Sequence, residues 1–171
     1  LFLFLIIVKR NEISSCVVKR TTAIPRMRRR KKGSYKMYDY YIDQMWTDFN
    51  EARTAWETIK TQLDEVYVLD HLSVTYKTRI TRGANNIKGW FNKVEKLMNR
   101  LPEDGTPSVG LLFEIRKKLE LEYLKAFPPL CCTVSDLPIS EDRKGSIAES
   151  VQSINDYVDN MKNDLQGLLV D

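Results

Sequence analysis

The chain has 171 residues and 43% hydrophobic content, enough for one domain with a buried core that needs neither disulfides nor a metal. Its three cysteines form no C-x-x-C motif and His71 is the single histidine, which argues against a zinc site and favours a reducing compartment. We therefore predict no metal, no cofactor and an intracellular location, either cytoplasmic or nuclear. Cys131 and Cys132 are expected to pack as small apolar residues in a loop rather than to act as a redox pair.

The net charge of +4 is distributed unevenly along the chain. Residues 1–37 hold eleven Lys and Arg against the single Glu12, whereas residues 38–171 hold sixteen bases against twenty-two acids. The arm formed by residues 1–37 has no apolar periodicity, so we expect it to be disordered, and residues 38–171 are predicted to form the folded domain.

The arm opens with the apolar run LFLFLIIV, which as a helix would be only about 12 Å long. That length is too short to span a bilayer, and the run lacks the leading basic flank and small-residue cleavage site of a signal peptide. Because the chain begins with Leu1, two interpretations stay open: a fragment, or a reading frame extended upstream of the true start. In the second, Met27 is an attractive start and residues 1–26 would carry no function.

The arm ends in a basic run that could neutralise phosphates by displacing their counterions. The candidate nucleic-acid-binding residues are Arg26, Arg28, Arg29, Arg30, Lys31 and Lys32. The same run could also be a solubilising or targeting tail, or could lie against anionic lipid.

The first helix is predicted over residues 38–68, because apolar residues recur there at steps of three and four. This stripe is Ile42, Met45, Phe49, Ala52, Trp56, Ile59, Leu63 and Val66. A turn is expected near residues 70–73, with Asp70 or Ser73 as the next N-cap, because continued periodicity would bury polar side chains.

The second helix is predicted over residues 74–101, with a stripe of the same spacing. Its members are Ile80, Ala84, Ile87, Phe91, Val94, Met98 and Leu101, widened by Trp90 and Leu97. Gly83 and Gly89 would each cost about 1 kcal/mol relative to alanine, so they are expected to permit close packing. Because the first helix is acidic and the second basic, we expect the two to lie side by side in an antiparallel pair.

The third and fourth helices complete an all-α antiparallel bundle. Thr106 and Pro107 are predicted to start the third helix, and Pro128 with Pro129 to stop it, leaving PPLCCTVSDLPI irregular. Its face is Leu112, Ile115, Leu119, Tyr123 and Phe127, a wider drift than a strict heptad. Ser140 is expected to cap the fourth helix, whose stripe is Ile147, Val151, Ile154, Val158, Met161, Leu165 and Leu168.

Catalytic motifs are missing from the sequence. With one histidine, any Ser-His-Asp triad would have to use His71, and neither a G-x-S-x-G motif nor a P-loop is present. Asp156, Asp159 and Asp164 are expected to form a solvated face. We therefore predict that the protein is not an enzyme and has no catalytic residues.

Three segments resemble the helical region near the N-terminus of Pao/BEL-type retrotransposon polyproteins, ahead of their gag-like domain. They are TYKTRITRGANNIKGWFNKVEKLM, LLFEIRKKLELEYLKAF and SEDRKGSIAESVQSINDYVDNMKNDL. The matching positions are Arg79, Ile80, Thr81, Arg82 and Asn86, then Leu112, Leu119 and Phe127, then Glu141, Arg143 and Tyr157. The resemblance covers about residues 75–169 and implies a non-enzymatic, gag-like assembly module.

Three functions therefore stay open. The first is a helical assembly or protein-interaction module that associates with itself or with a partner protein through helix faces. The second is a low-specificity nucleic-acid-binding protein that uses the basic arm. Nucleic-acid binding that survived neutralisation of the arm would point to the basic second helix at Arg79, Arg82, Lys88 and Lys96. The third, a protein anchored at a membrane surface, requires both the apolar and the basic part of the arm and is not favoured.

Overall fold

Four helices make up the part of the chain that the structure describes, which confirms the all-α prediction. The computed structural model describes residues 37–69, 71–102 and 106–170, and these ranges contain no strand. Helix α1 is Met37–Tyr67, α2 is Val74–Met98 and α4 is Glu141–Val170. Helix α3 runs without a break through Val109–Lys117, a π-helical turn at Lys118–Glu122, and Tyr123–Asp136.

Successive helices run antiparallel and form two closely packed pairs, α1 with α4 and α2 with α3. In the first pair, Gln62 near the end of α1 donates a 2.7 Å hydrogen bond to Ser146 near the start of α4. In the second pair, Arg100 just beyond α2 lies 3.0 Å from Glu114 near the start of α3. The predicted antiparallel bundle is therefore the observed one.

The apolar stripes read from the sequence form one continuous core. Every member of the α1 stripe and of the α3 face is buried. Ala84 in α2 and Val151 in α4 are the two stripe members that are only half-buried. Phe91 joins the two helix pairs, because its ring lies 5.7 Å from that of Phe49 in α1 and 6.4 Å from that of Phe127 in α3, centroid to centroid. Hydrophobic burial along these stripes is the main stabilising contribution to the fold.

Serine residues cap three of the helices. The turn between α1 and α2 lies where it was predicted, and the Ser73 hydroxyl accepts a hydrogen bond from the Tyr76 N–H. Ser140 likewise accepts from the Arg143 N–H at 3.4 Å. The prediction for α3 was wrong by two residues, since Ser108 rather than Thr106 is the N-cap. Pro107, just before the cap, is buried and can serve as the apolar residue that fixes the entry of the chain.

The pairing inferred from helix charge is only partly correct. Helices α1 and α2 do touch, but α1 packs most extensively against α4, which is also acidic. The ion pair between α1 and α2, at 2.8 Å, joins Arg53 of the acidic helix to Glu95 of the basic helix. Apolar burial decides which helices pair, because an exposed ion pair contributes at most about 1 kcal/mol.

Helix α3 does not stop at Pro128 and Pro129, contrary to the sequence prediction. Each proline lacks an N–H and frees the carbonyl four residues earlier, and these carbonyls belong to Leu124 and Lys125, whose side chains are exposed. Beyond the prolines, the buried side chains of Leu130 and Val134 continue the apolar face, which holds the helix against α2 as far as Asp136.

Cys131 and Cys132 consequently lie in a helix and not in a loop. Cys131 is half-buried and Cys132 is exposed. Burial raises the pKa of the Cys131 thiol to about 11, so the thiol is protonated at neutral pH. A protonated, half-buried thiol is a packing residue, as the sequence predicted for Cys131.

The π-helical turn adds one residue to α3 and brings its core face back into register. In an ordinary α-helix four residues rotate past one full turn, so side chains at steps of four gradually leave a fixed face. A π-turn has more residues per turn, which reverses this drift. Here Ile115, Leu119 and Tyr123, at successive steps of four, all remain buried. The Trp90 indole N–H donates a 2.8 Å hydrogen bond to the carbonyl of Lys118, which also accepts the Tyr123 N–H. The indole thus holds the turn from the α2 side.

Only one of the two α2 glycines permits close packing. A Cβ atom on Gly83 would lie 2.9 Å from Leu130 Cδ1 and 3.3 Å from Leu130 Cβ, whereas one on Gly89 would have no atom within 4 Å. We expect Gly89→Ala to stabilise the protein by about 0.5–1 kcal/mol through helix propensity. In Gly83→Ala the same gain is outweighed by overpacking, giving a net destabilisation of about 1 kcal/mol. Urea unfolding of both variants measures this difference, and equal stabilisation would contradict the close approach of α2 and α3.

Candidate functional site

An exposed apolar strip lies along α3, on the side opposite its core face. The strip consists of Val109, Phe113, Lys117, Leu121, Leu124 and Lys125, and we call it the α3 outer face. Val109, Phe113, Lys117, Leu121 and Lys125 follow one another at steps of four. They stay on one side of the helix for the same reason that the core face does, since the π-turn lies between them.

The exposure of these apolar side chains is large. Phe113 is 55% exposed, Leu121 is 52% and Leu124 is 62%. Other exposed apolar side chains among the described residues, such as Tyr40 and Val68, lie elsewhere in the fold. Single exposed apolar residues are ordinary in soluble proteins, but several exposed apolar side chains along one side of a helix are typical of an interaction surface.

Two lysines interrupt the strip and leave it amphipathic. Lys117 and Lys125 form no ion pair with another described residue, whereas the neighbouring Arg116 is paired with Glu120 at 2.9 Å. Lysine stems can cover apolar surface while the ammonium group stays in water. The α3 outer face can therefore be exposed in the free chain and still bury apolar area against another helix.

The three aspartates of α4 do not behave alike. Asp156 and Asp159 are exposed, as expected for a solvated face, but Asp164 is half-buried. Partial burial, with a smaller contribution from Asp48 on α1, raises the pKa of Asp164 to about 6. The packing of two acidic helices against each other accounts for this shift, so it needs no catalytic role.

Tyr123 of α3 is a buried tyrosine with a perturbed pKa. Its hydroxyl donates a hydrogen bond to Oδ1 of Asn155, and burial raises its pKa well above the usual range. Its ring stacks on Phe127 with centroids 4.4 Å apart. A buried, neutral and hydrogen-bonded phenol serves packing and does not supply a nucleophile.

A small cleft of about 270 Å³ lies between α1 and α4. It is lined by Gln62, Glu65, Val66, Asp142, Arg143, Ser146 and Ile147. The Oε1 atom of Gln62 is buried without a hydrogen-bond partner. The lining has no cysteine or histidine, and within residues 37–69, 71–102 and 106–170 no group of three or more potential metal ligands occurs.

The six basic residues proposed from the sequence, Arg26, Arg28, Arg29, Arg30, Lys31 and Lys32, lie outside the described part of the chain. Among the helices of the described part, none is long and apolar enough to cross a membrane.

No protein-family model, no curated protein and no solved structure matches this chain.

Proposed function

We propose that the chain is a non-enzymatic helical protein-interaction module that associates with itself through the α3 outer face. The observation that supports this proposal is the exposure of Phe113, Leu121 and Leu124 in one strip. Apolar burial contributes roughly 25 cal/mol per Å², so pairing two such strips provides a driving force for association.

A two-fold arrangement suits this surface. In a symmetric dimer the same strip occurs on both copies, and two antiparallel α3 helices would place apolar residues of one copy against those of the other. Lys117, in the middle of the strip, would lay its aliphatic stem along the contact and keep its ammonium group in water, and Lys125 would lie near one end.

Light scattering of the full chain across a concentration series tests this proposal. We expect the mass to rise with concentration toward twice the 20.0 kDa of one chain. The double variant Phe113→Glu and Leu121→Glu should stay monomeric, because it places carboxylates in the contact. The matched control is Val68→Glu with Val74→Glu, which adds the same charge at exposed apolar positions off the strip and should associate like the unchanged chain.

Circular dichroism of each variant checks that its helix content is unchanged, since all four positions are exposed. A chain that stays monomeric at every concentration contradicts self-association. Equal loss of association in both double variants contradicts the assignment to the α3 outer face.

We also propose, on the resemblance to Pao/BEL-type polyproteins, that this module is gag-like. The support is the similarity over about residues 75–169 together with the helical fold. Recovery of the neighbouring reading frame tests the proposal, since protease or polymerase sequence downstream is expected of a retroelement. A neighbouring sequence of an unrelated kind would contradict it.

An alternative function is low-specificity nucleic-acid binding through the basic arm. It is supported by the eleven bases and single acid of residues 1–37. Affinity for duplex DNA would then fall linearly with salt on a log–log scale, and neutralising Arg28, Arg29, Arg30, Lys31 and Lys32 would reduce the slope by about four to five units.

A further inference from the structure

The solvent side of α2 has an unusual composition. Every exposed residue between Thr78 and Arg100 is threonine, asparagine, lysine or arginine. The set is Thr78, Arg79, Thr81, Arg82, Asn85, Asn86, Lys88, Asn92, Lys93, Lys96, Asn99 and Arg100, and we call it the α2 basic face. It contains neither an acidic nor an apolar side chain, although the chain from residue 38 onward is acidic overall.

Three basic side chains on this face form no ion pair with a described acidic residue. They are Arg82, Lys88 and Lys96, and all three are exposed. Arg79, Lys93 and Arg100 each reach an acid of α3, and in every pair the basic side chain stays more than half exposed. Such exposed pairs are weak and can yield to a stronger anion.

The one acid in α2 is directed away from the face. Glu95 is half-buried and accepts a 2.8 Å hydrogen bond from Arg53 of α1. Its charge is thus partly neutralised on the α1 side. The positive potential of the α2 basic face is therefore not cancelled by an acid within its own helix.

The middle of the face is open to close approach. Gly89 has no side chain, and a Cβ atom placed there would have no atom within 4 Å. The backbone at Gly89 can therefore come nearer to an extended ligand than it could beside a larger residue. Asn85, Asn86 and Asn92, with amide groups that can donate and accept hydrogen bonds, lie close to it in sequence and are exposed.

We propose that the α2 basic face binds the phosphate backbone of nucleic acid. Lysine, arginine, threonine and asparagine are among the residue types that contact phosphate and sugar. The segment from Thr78 to Arg100 would be about 33 Å long as a helix, close to one turn of B-form DNA. This inference is independent of self-association through α3.

Other anionic partners fit the face less well. Binding in a membrane interface uses apolar side chains that enter the lipid, and the α2 basic face exposes none. Protein interfaces are centred on aromatic or other buried anchor residues, which this face also lacks. A hydrophilic polyanion with regularly spaced charges needs neither feature.

The test uses the full chain with Arg28, Arg29, Arg30, Lys31 and Lys32 changed to glutamine, so that binding through the arm is suppressed. In this background, affinity for a fluorescent 20-base-pair duplex of random sequence is measured between 50 and 200 mM salt. The α2 triple variant adds Arg82→Gln, Lys88→Gln and Lys96→Gln. The control triple adds Lys60→Gln, Arg143→Gln and Lys162→Gln, which removes the same charge from α1 and α4, away from both the α2 basic face and the α3 outer face.

We expect the arm-neutralised chain to retain salt-dependent binding and the α2 triple variant to lose about 2.7 units of salt slope, at 0.9 per phosphate contact. This difference in slope means that raising the salt fourfold should weaken binding of the arm-neutralised parent about 40-fold more than binding of the α2 triple variant. The control triple should keep the slope. Absence of binding in the arm-neutralised chain at low salt, or equal losses in both triples, would overturn the proposal.

Vesicles of anionic phospholipid provide the remaining comparison. We expect the α2 triple change to weaken vesicle binding less than duplex binding, because the face has charges that attract anionic lipid but no apolar residue to insert. Selective loss of vesicle binding, with duplex binding unchanged, would overturn the proposal in favour of a membrane ligand. Circular dichroism of both triples controls for folding.

Discussion

Replacing Phe91 with aspartate is expected to lower the free energy of unfolding by more than about 4 kcal/mol. The Phe91 side chain is 4% exposed and lies between Phe49, Trp90 and Phe127. The variant loses the aromatic packing that joins the two helix pairs, and it buries a carboxylate among aromatic rings. Losses of this size are exceptional and are diagnostic of core damage.

The matched control is Asn92→Asp, which introduces the same group one residue away on the exposed side of α2. We expect its stability to change by no more than about 0.5 kcal/mol. Urea unfolding followed by circular dichroism measures both variants. Similar unfolding midpoints for the two would mean that the register of α2 in the bundle is incorrect.

Replacing Trp90 with phenylalanine is expected to destabilise the protein by about 2–3 kcal/mol. The indole is 2% exposed, and its N–H donates to the Lys118 carbonyl at 2.8 Å. The variant loses that hydrogen bond and leaves a small cavity beside Tyr123 and Phe127. Because Lys118 begins the π-turn, the loss should also increase amide hydrogen exchange at Tyr123, whose N–H shares the same carbonyl.

Trp46→Phe serves as the control for Trp90→Phe. The Trp46 side chain is half-buried and packs edge to face on Phe49 with centroids 5.8 Å apart. We expect this change to cost less than about 1.5 kcal/mol and to leave exchange at Tyr123 unaltered. Equal destabilisation by both changes would show that the Lys118 contact has no special role.

Much of the fold could be predicted from the sequence, because apolar spacing determines which face of each helix is buried. Local propensity was a poorer guide at Pro128 and Pro129, where the prolines predicted an end to the helix that the structure does not have. Tertiary contacts outweigh that propensity, since Leu130 and Val134 bury apolar area beyond the prolines. The π-turn did have a signal in the sequence, namely the successive steps of four through Ile115, Leu119, Tyr123 and Phe127.

Helix partners were harder to predict than helix faces. Net charge favoured α1 beside α2, but surface charges contribute little, and the match between apolar stripes determines which helices pack closely. The partial burial of Asp164 beside Asp48 follows from that packing. No local sequence pattern could have predicted that Asp164 lies beside Asp48, because their proximity depends on where α1 and α4 pack together.

The candidate surfaces differ in how far the sequence could reveal them. The charge of the arm is evident in the sequence, whereas the α3 outer face depends on knowing that no other helix covers Phe113 and Leu121. The basic residues Arg79, Arg82, Lys88 and Lys96 of the second helix were also evident in the sequence, and the rest of the α2 basic face emerges once the buried stripe is removed. What remains from Thr78 to Arg100 is almost entirely basic, asparagine or threonine.

Nuclear magnetic resonance of the full chain at low and high concentration tests the central claim, self-association through α3, most directly. If the α3 outer face is the contact, methyl and aromatic signals of Val109, Phe113, Leu121 and Leu124 should shift with concentration. Those of Val68 and Val74, which are also exposed but lie off the strip, should stay constant. Concentration-dependent shifts confined to other helices, or none at millimolar concentration, would contradict the claim.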